Sequence, residues 1–161
     1  MRPMSLRDLT EDDLDVLFEI QADSTARHMA AFIGSDPGDR ESYRARWRTI
    51  IADDTTVTKA VVHDGEIVGS VGSFVVDGDT EVTYWVRREV WGQGVASAAL
   101  AELLRQVTER PLHARVAADN AASARVLTRN GFTRVGAEVS YAEARHEEIE
   151  EHLYRLDTTP R

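Results

Sequence analysis

Val86-Arg87-Arg88-Glu89-Val90-Trp91-Gly92-Gln93-Gly94-Val95-Ala96-Ser97 runs out of an apolar strand, through two glycines and into an Ala-rich helix. The glycines let the backbone approach a ligand and leave several N–H groups pointing outward. A helix that begins there adds its own unpaired N–H groups and a partial positive charge. Such a loop suits a phosphate or a pyrophosphate. Arg87 and Arg88 stand beside it and can add charge-assisted bonds. A Gly-x-Gly at a strand-to-helix turn is also compatible with a plain tight turn, so the surroundings decide.

Upstream, the pattern reads as strands. Val57–His63 and Glu66–Val76 flank Asp64-Gly65, a strong hairpin signal. Asp77-Gly78-Asp79 is a second turn, and Thr80–Val86 a third strand. An antiparallel meander therefore leads into the glycine loop. A dinucleotide-binding fold would supply a parallel βαβ unit from the start, which argues against a nicotinamide enzyme although Gly92-x-Gly94-x-x-Ser97 approaches that fingerprint.

Downstream, the helix from Gly94 carries Ala96, Leu100, Leu103 and Val107 on one stripe, with Val95 and Ala99 beside it, and Pro111 is expected to end it. Leu112–Ala118 alternates as a strand, which makes a βαβ crossover and a parallel neighbour for Thr80–Val86. Asp119 or Asn120 caps a short helix over Ala121 to Arg129, closed by Asn130-Gly131 with Gly131 in the left-handed position. Phe132–Tyr141 and Glu148–Leu156 read as two last strands, and the charged run Glu143–Glu151 as a solvated turn and strand face.

The N-terminal third is less patterned. Met4 to Leu9 fits an edge strand, and Thr10 with Asp13 forms a capping-box variant ahead of Leu14, Leu17 and Phe18. Asp23 to Gly38 reads as irregular, with a loop at Gly34-Ser35-Asp36-Pro37-Gly38. A helix follows Asp39, with Tyr43, Trp47, Ile50 and Ile51 at helical spacing, read as core.

The bulk properties narrow the classes. A chain of 161 residues fits a single domain over 1–161. It has no cysteine, which removes disulfides, thiolate nucleophiles and Cys-ligated metals. His28 and His63 are isolated and give no metal-ligand spacing. The net charge of −9 argues against nucleic acid as a partner and suits either a cationic substrate or simple solubility. No long apolar run is present, so neither a membrane span nor a leader peptide is expected, and the cytoplasm is the default location.

Two motifs belong together: Trp91-Gly92-Gln93-Gly94-Val95-Ala96-Ser97, and Asp119-Asn120-Ala121-Ala122-Ser123-Ala124-Arg125-Val126-Leu127 with Asn130-Gly131-Phe132. In that order and context they resemble the GCN5-related N-acetyltransferases (GNAT). Within that superfamily they are most similar to the RimJ/RimL-type ribosomal-protein N-acetyltransferases, as is the strand Tyr84-Trp85-Val86. The resemblance implies an α+β fold: a mixed, mostly antiparallel sheet with a splayed central strand pair and helices on both faces. It implies acetyl-CoA as co-substrate and transfer of its acetyl group to a primary amine by direct attack in a ternary complex. The acceptor would be a protein N-terminus or a small amine such as an aminoglycoside or polyamine. A homodimer through the sheet edge or the C-terminal strands is compatible with the resemblance. A non-catalytic acyl-CoA-binding module is the alternative.

The same resemblance distributes roles. Pantetheine would pair with the backbone of Trp85, Val86 and Arg87. The pyrophosphate would sit on the amides of Gly92, Gln93, Gly94, Val95 and Ala96, with the hydroxyl of Ser97. Glu89 stands where the family has Gln or Arg, so Arg87 and Arg88 would carry more of the phosphate contact. Asn120 would bond the pantetheine arm, cap the helix, or do both. The tyrosine expected seven residues after that asparagine is Leu127 here. Ser123 is the substitute acid, directly or through a water, and Tyr141 a second option whose position nothing fixes. Glu81 is the candidate base or, alternatively, an exposed strand carboxylate beside a turn. A backbone N–H on the splayed strand would stabilise the oxyanion. His28, Phe32 and Tyr154 are candidates for the acceptor wall, or ordinary packing. No metal role is assigned.

Overall fold

The computed structural model describes residues 4–33 and 37–158. The chain runs β1 (Met4–Asp8), a 3-10 turn, α1 (Leu14–Gln21), α2 (Ser24–Ala30), α3 (Arg40–Ala52), β2 (Val57–His63), β3 (Glu66–Val76) and β4 (Asp79–Val86). It continues with a second 3-10 turn (Arg88–Val90), α4 (Val95–Gln106), β5 (Leu112–Ala117), α5 (Ala121–Arg129), β6 (Thr133–Ala142) and β7 (Glu147–Leu156). One seven-stranded sheet results, in the order β1-β2-β3-β4-β5-β7-β6.

The meander forms as expected. Asp64 and Gly65 both take positive φ, as do Asp77 and Gly78, so each pair closes a tight hairpin. β3 and β4 lie close because of Gly69, where an added Cβ would overlap the carbonyl oxygen of Trp85. Among the described residues β4 and β5 are the only parallel neighbours, and their pairing lasts two positions, Thr80 with Leu112 and Glu81 with His113. Beyond Glu81 the strands part. That gap is the splay the resemblance implied.

Helices cover both faces. α4 buries Val95, Ala99, Leu100, Leu103 and Leu104 against Val61, Val71, Val82 and Leu112. On the opposite face, Leu14, Leu17 and Ile20 of α1 pack with Leu9 and Tyr43, and Trp47 and Trp85 close over them. Asp13 anchors this layer: its carboxylate accepts two bonds from Arg7 (both 2.9 Å) and the Thr10 N–H (2.9 Å).

Three expectations change. Asp23 to Gly38 is not wholly irregular, because the Asp23 carboxylate accepts the Ala26 N–H (2.9 Å) and starts α2. The first three positions of the loop read at Gly34–Gly38 lie outside the described residues. α4 ends at Gln106, well before Pro111. Val107 turns extended to stay in the core, and Arg110 bonds its carbonyl (2.8 Å), which relieves the helix end. In the run Glu143–Glu151 the glutamates are exposed except Glu151, which is buried, while Ile149 packs partly buried and the Arg145 side chain is almost fully covered.

Candidate active site

Strand β4 has two sides, and each opens onto a cleft. Its backbone groups alternate in direction. Arg87 donates its N–H to Val68 of β3 (2.6 Å), and the register pairs Trp85 with Ser70. The backbone groups of Val82, Tyr84 and Val86 therefore point the other way, into the gap beside β5. The expected backbone partners are thus corrected. Trp85 and Arg87 serve β3, whereas Tyr84 and Val86 face the gap. The Val86 carbonyl already accepts the indole N–H of Trp91 (2.8 Å).

The first cleft, about 580 Å³, lies over the glycine loop and the start of α5. Gly92, Gly94, Val95, Ala96 and Ser97 line one wall, and Asp119, Asn120, Ala121, Ala122 and Ser123 another. Gly94 sits at φ 78°, a left-handed conformation that glycine adopts without strain. The N–H groups of Val95, Ala96 and Ser97 follow it at the helix start, where no carbonyl of a preceding turn reaches them. Small side chains leave the backbone as the lining, which is what a phosphate needs.

Several loop residues behave differently from expectation. Gln93 is not in the cleft wall: its N–H goes to the Val90 carbonyl (3.3 Å) and its side chain to the Glu89 carbonyl (3.4 Å). Arg87 donates to the Ile67 carbonyl (3.4 Å), and Arg88 pairs with Asp23 (3.1 Å), tying the loop to α2. The cations that do line this cleft are Arg125 and Arg129, one turn apart on α5. Among the described residues neither has an ion pair. Their i,i+4 spacing on the helix that follows Asn120 was the available signal. Ser97 lines the cleft, and its Oγ accepts from the buried Asn130 amide (3.3 Å).

The second cleft, about 910 Å³, opens on the α1–α3 side of the sheet. Its wall draws on Phe32, Tyr43, Trp47, Ile50, Arg115 and Glu151, residues spread over most of the chain. Phe32, a candidate for the acceptor wall, lines this cleft. His28 lines neither cleft, and its carbonyl takes a bond from Arg145 (2.9 Å). Tyr154 is buried in the α4-side core and lines neither cleft. Tyr141 is exposed on β6 at the sheet edge, away from both. Tyr43 and Trp47, read only as core, do both jobs.

Arg115 organises the floor of this second cleft. Its guanidinium lies 3.6 Å from Glu81, 3.2 Å from Glu138 and 3.2 Å from Glu151. Glu81 is therefore not an exposed strand carboxylate; it is buried beside Arg115 and outside the cleft wall proper. Glu151 is buried too, yet it lines the cleft. Its position in a run of glutamates concealed it in the sequence.

The two clefts share Ala30, Tyr84, Trp85, Asn120 and Ser123. Asn120 caps α5 by accepting the Ser123 N–H (3.2 Å), and its amide donates to the Met29 carbonyl (3.4 Å). Asp119 accepts two bonds from Arg145 (2.5 and 2.9 Å), and that guanidinium holds its carboxyl below the usual carboxylate range. The Tyr84 hydroxyl lies 2.6 Å from Ser123 Oγ, and burial pushes the phenol up to about 12 against the opposing effect of that bond. Tyr84 was read as part of a strand motif only. Its partner is 39 residues away, a separation no local pattern reports. Leu127 is fully buried and presents nothing to either cleft. Among the described residues, no group of three or more His, Asp or Glu could hold a metal ion.

Comparison with known proteins fits this arrangement. The profile of the acetyltransferase (GNAT) domain matches residues 4–133. The "Putative ribosomal N-acetyltransferase YdaF" of Bacillus subtilis (strain 168) is 28% identical over 116 residues, 65% of this chain and 63% of that protein, so the match spans less than two thirds of the relative's length. Among solved structures, RimL, a ribosomal L7/L12 alpha-N-protein acetyltransferase in complex with coenzyme A, superposes with a TM-score of 0.83 at 19% identity, over 96% of this chain and 94% of that one. A phosphinothricin acetyltransferase of Sinorhizobium meliloti in complex with AcCoA also gives 0.83, at 18% identity over 97% and 89%. These two structural likenesses speak for the fold; their named acceptors differ.

Proposed function

The chain belongs to the GNAT acetyltransferase-domain family, and from that premise we propose that it transfers an acetyl group from acetyl-CoA to a primary amine by direct attack. The observation that carries the proposal is the meeting of two clefts at Tyr84, Trp85, Asn120 and Ser123. One cleft has the chemistry of a phosphate-bearing donor. The other has aromatic walls and a buried carboxylate suited to an amine.

Residues of the first cleft fit the donor. The helix-start amides and Gly94 suit a pyrophosphate, Arg125 and Arg129 a further phosphate, and the gap beside β4 offers the Tyr84 backbone groups to an amide-bearing arm. When bound, acetyl-CoA supplies a thioester carbonyl open to attack by a neutral amine. Everything else falls to the chain. Glu151, with Glu81 behind Arg115, takes up the proton that the amine must lose, through a water in the case of Glu81. Backbone N–H groups of β4 that face the gap stabilise developing charge on the carbonyl oxygen. Asn120 positions Ser123, and Ser123 stands at the leaving sulfur. Holding the two reactants at one junction supplies much of the rate by proximity.

The acceptor is a peptide N-terminus or a small amine. The ribosomal names among the relatives support the first, the phosphinothricin name the second. This reading places the chain, acting as one domain over 1–161, in the cytoplasm. No helix among the described residues is long and apolar enough to cross a membrane. Leu127 favours one competing reading, an acyl-CoA-binding module without turnover.

The test is release of free CoA thiol from acetyl-CoA against a panel of amines and N-terminal peptides, with acetyl-CoA binding measured alongside. Because the chain has no cysteine, a thiol reagent reads CoA alone. Turnover with one class establishes the transferase and selects the acceptor. Tight binding without turnover across the panel favours the binding module. No binding overturns the donor assignment.

A further inference from the structure

When the bond between the acetyl carbon and sulfur breaks, the electron pair stays on sulfur, and a group at the junction must meet that charge. α5 buries Leu127 and brings one hydroxyl there, that of Ser123, which lines both clefts. Among the described residues the Ser123 hydroxyl has one partner side chain, Tyr84 from β4, at 2.6 Å. The Tyr84 oxygen also lies 3.1 Å from the Ser123 carbonyl.

The phenol is within reach of both oxygens, and in the shorter contact either hydroxyl can be the donor. Bonds from O–H to oxygen cluster at about 2.7–2.8 Å and reach about 3.0 Å. The carbonyl, at 3.1 Å, lies just beyond that range, and Oγ, at 2.6 Å, near its short end, so the contact between the two hydroxyls is the stronger one. With the phenol donating to Oγ, the serine keeps its own hydrogen to give. The Ser123 N–H is fixed on Asn120 Oδ1 (3.2 Å), so the hydroxyl is held from both sides.

We propose that Tyr84 is a positioning residue that acts through Ser123: the phenol donates to Ser123 Oγ, and the serine hydroxyl donates to the leaving sulfur without surrendering its proton. This deepens the transferase reading above and rests on it. The bookkeeping of the step is complete. The new bond joins the acceptor nitrogen to the acetyl carbon, the bond to sulfur breaks, and the electron pair stays on sulfur. The proton that the acceptor nitrogen sheds goes to Glu151, and the thiolate takes its own proton from solvent on release. Acidities oppose the other assignment. Burial holds the Tyr84 phenol at about 12, whereas a thiol titrates at about 8.5. A proton passed outright from the pair to the sulfur would run uphill. A hydrogen bond given to the thiolate costs nothing of that kind and favours the charged form.

The experiment needs no acceptor. CoA with its free thiol is bound to the protein, and the ¹³C shift of the methylene carbon beside the sulfur is followed against pH. The account expects the bound thiol to titrate about one pH unit below free CoA, a tenfold gain in thiolate. Tyr84→Phe keeps the ring and removes the donor; it should lose most of that displacement while CoA affinity stays within about threefold. Ser123→Ala should lose it as well, and the double variant should lose no more than either single one, since the two act in series. Ser123→Thr, which keeps a hydroxyl, should restore it. A bound thiol that titrates like free CoA, or a Tyr84→Phe protein that matches wild type, overturns the inference. If Tyr84→Phe fails to fold, Ser123→Ala against Ser123→Thr makes the same decision. Failure of CoA to bind at all overturns the donor assignment, and this inference with it, and is a different result from an unshifted titration.

Discussion

The two clefts that meet at Tyr84 and Ser123 are built by opposite means. The wall proposed for the donor draws chiefly on two short stretches, Val90–Ser97 and Asp119–Arg129, where glycines, alanines and helix-start amides meet, and takes the rest from α2 and β4. The wall proposed for the acceptor is assembled from side chains of α1, α2, α3, β4, β5, β7, the segment between α2 and α3 and the start of α5. A wall of main-chain N–H groups recognises phosphate whatever the neighbouring side chains are. A wall of aromatic and charged side chains can be re-cut one residue at a time. The difference teaches which half of the reaction the fold itself determines and which half belongs to this chain.

The sharpest way to break that division is Gly94→Val. A branched residue at φ 78° carries strain of about 1–3 kcal/mol, and it also covers the amides behind it. Acetyl-CoA affinity should fall about tenfold to a hundredfold by calorimetry, with the acceptor wall untouched. A variant that binds acetyl-CoA normally would mean the phosphates lie elsewhere. The converse is Glu151→Gln. It should leave acetyl-CoA affinity within about twofold yet slow thiol release about tenfold or more, as loss of a proton acceptor does. A rate unchanged in Glu151→Gln would shift the role to Glu81 or to bulk water.

What was legible in the sequence follows the same division. The glycine loop, the Asn120 cap and Gly131 are demands of local backbone geometry, and local geometry is written in a few adjacent residues. The meander and the β4–β5 crossover follow from hairpin turns and a helix of readable period. The acceptor side depends on residues far apart in the chain. Glu151 looks like its solvated neighbours until β7 places it beside Arg115. Tyr84 and Ser123 meet only because β4 and α5 converge where the sheet splays. α2 escaped because Ser24–Ala30 is short and mostly polar, with no apolar stripe to announce it. Arg87 and Arg88 were plausible as phosphate ligands by adjacency alone, and adjacency did not say that Arg88 would reach back to Asp23.

Two smaller effects sharpen the comparison. Replacing Arg125 or Arg129 by Met should weaken CoA binding about threefold each, an exposed charge-assisted contact being worth about 0.5–1 kcal/mol. The loss should shrink as salt is added. An equal loss at all salt concentrations would point to packing instead of charge. On the acceptor side, Asp13→Asn should cost about 1 kcal/mol of stability, or about 2–4 °C in melting temperature. The Arg7 hydrogen bonds hold the Asp13 carboxyl below its ordinary range. Its contribution is therefore complete above the unfolded value of about 3.9 and is lost as pH falls through the lower folded value. The Asn variant should lack that part of the acid dependence, and parallel melting curves down to pH 3 would check it.

The division between the two walls is tested most directly by mapping amide shifts of ¹⁵N-labelled protein as CoA is added. The account predicts that Gly92, Gly94, Val95, Ala96 and Ser97, the Tyr84 amide and the first turn of α5 move together and saturate at one affinity, while the amides of Tyr43 and Trp47 on α3 stay in place. Shifts centred on α3 and the Arg115 floor, or no shifts in the glycine loop at saturating CoA, would contradict it.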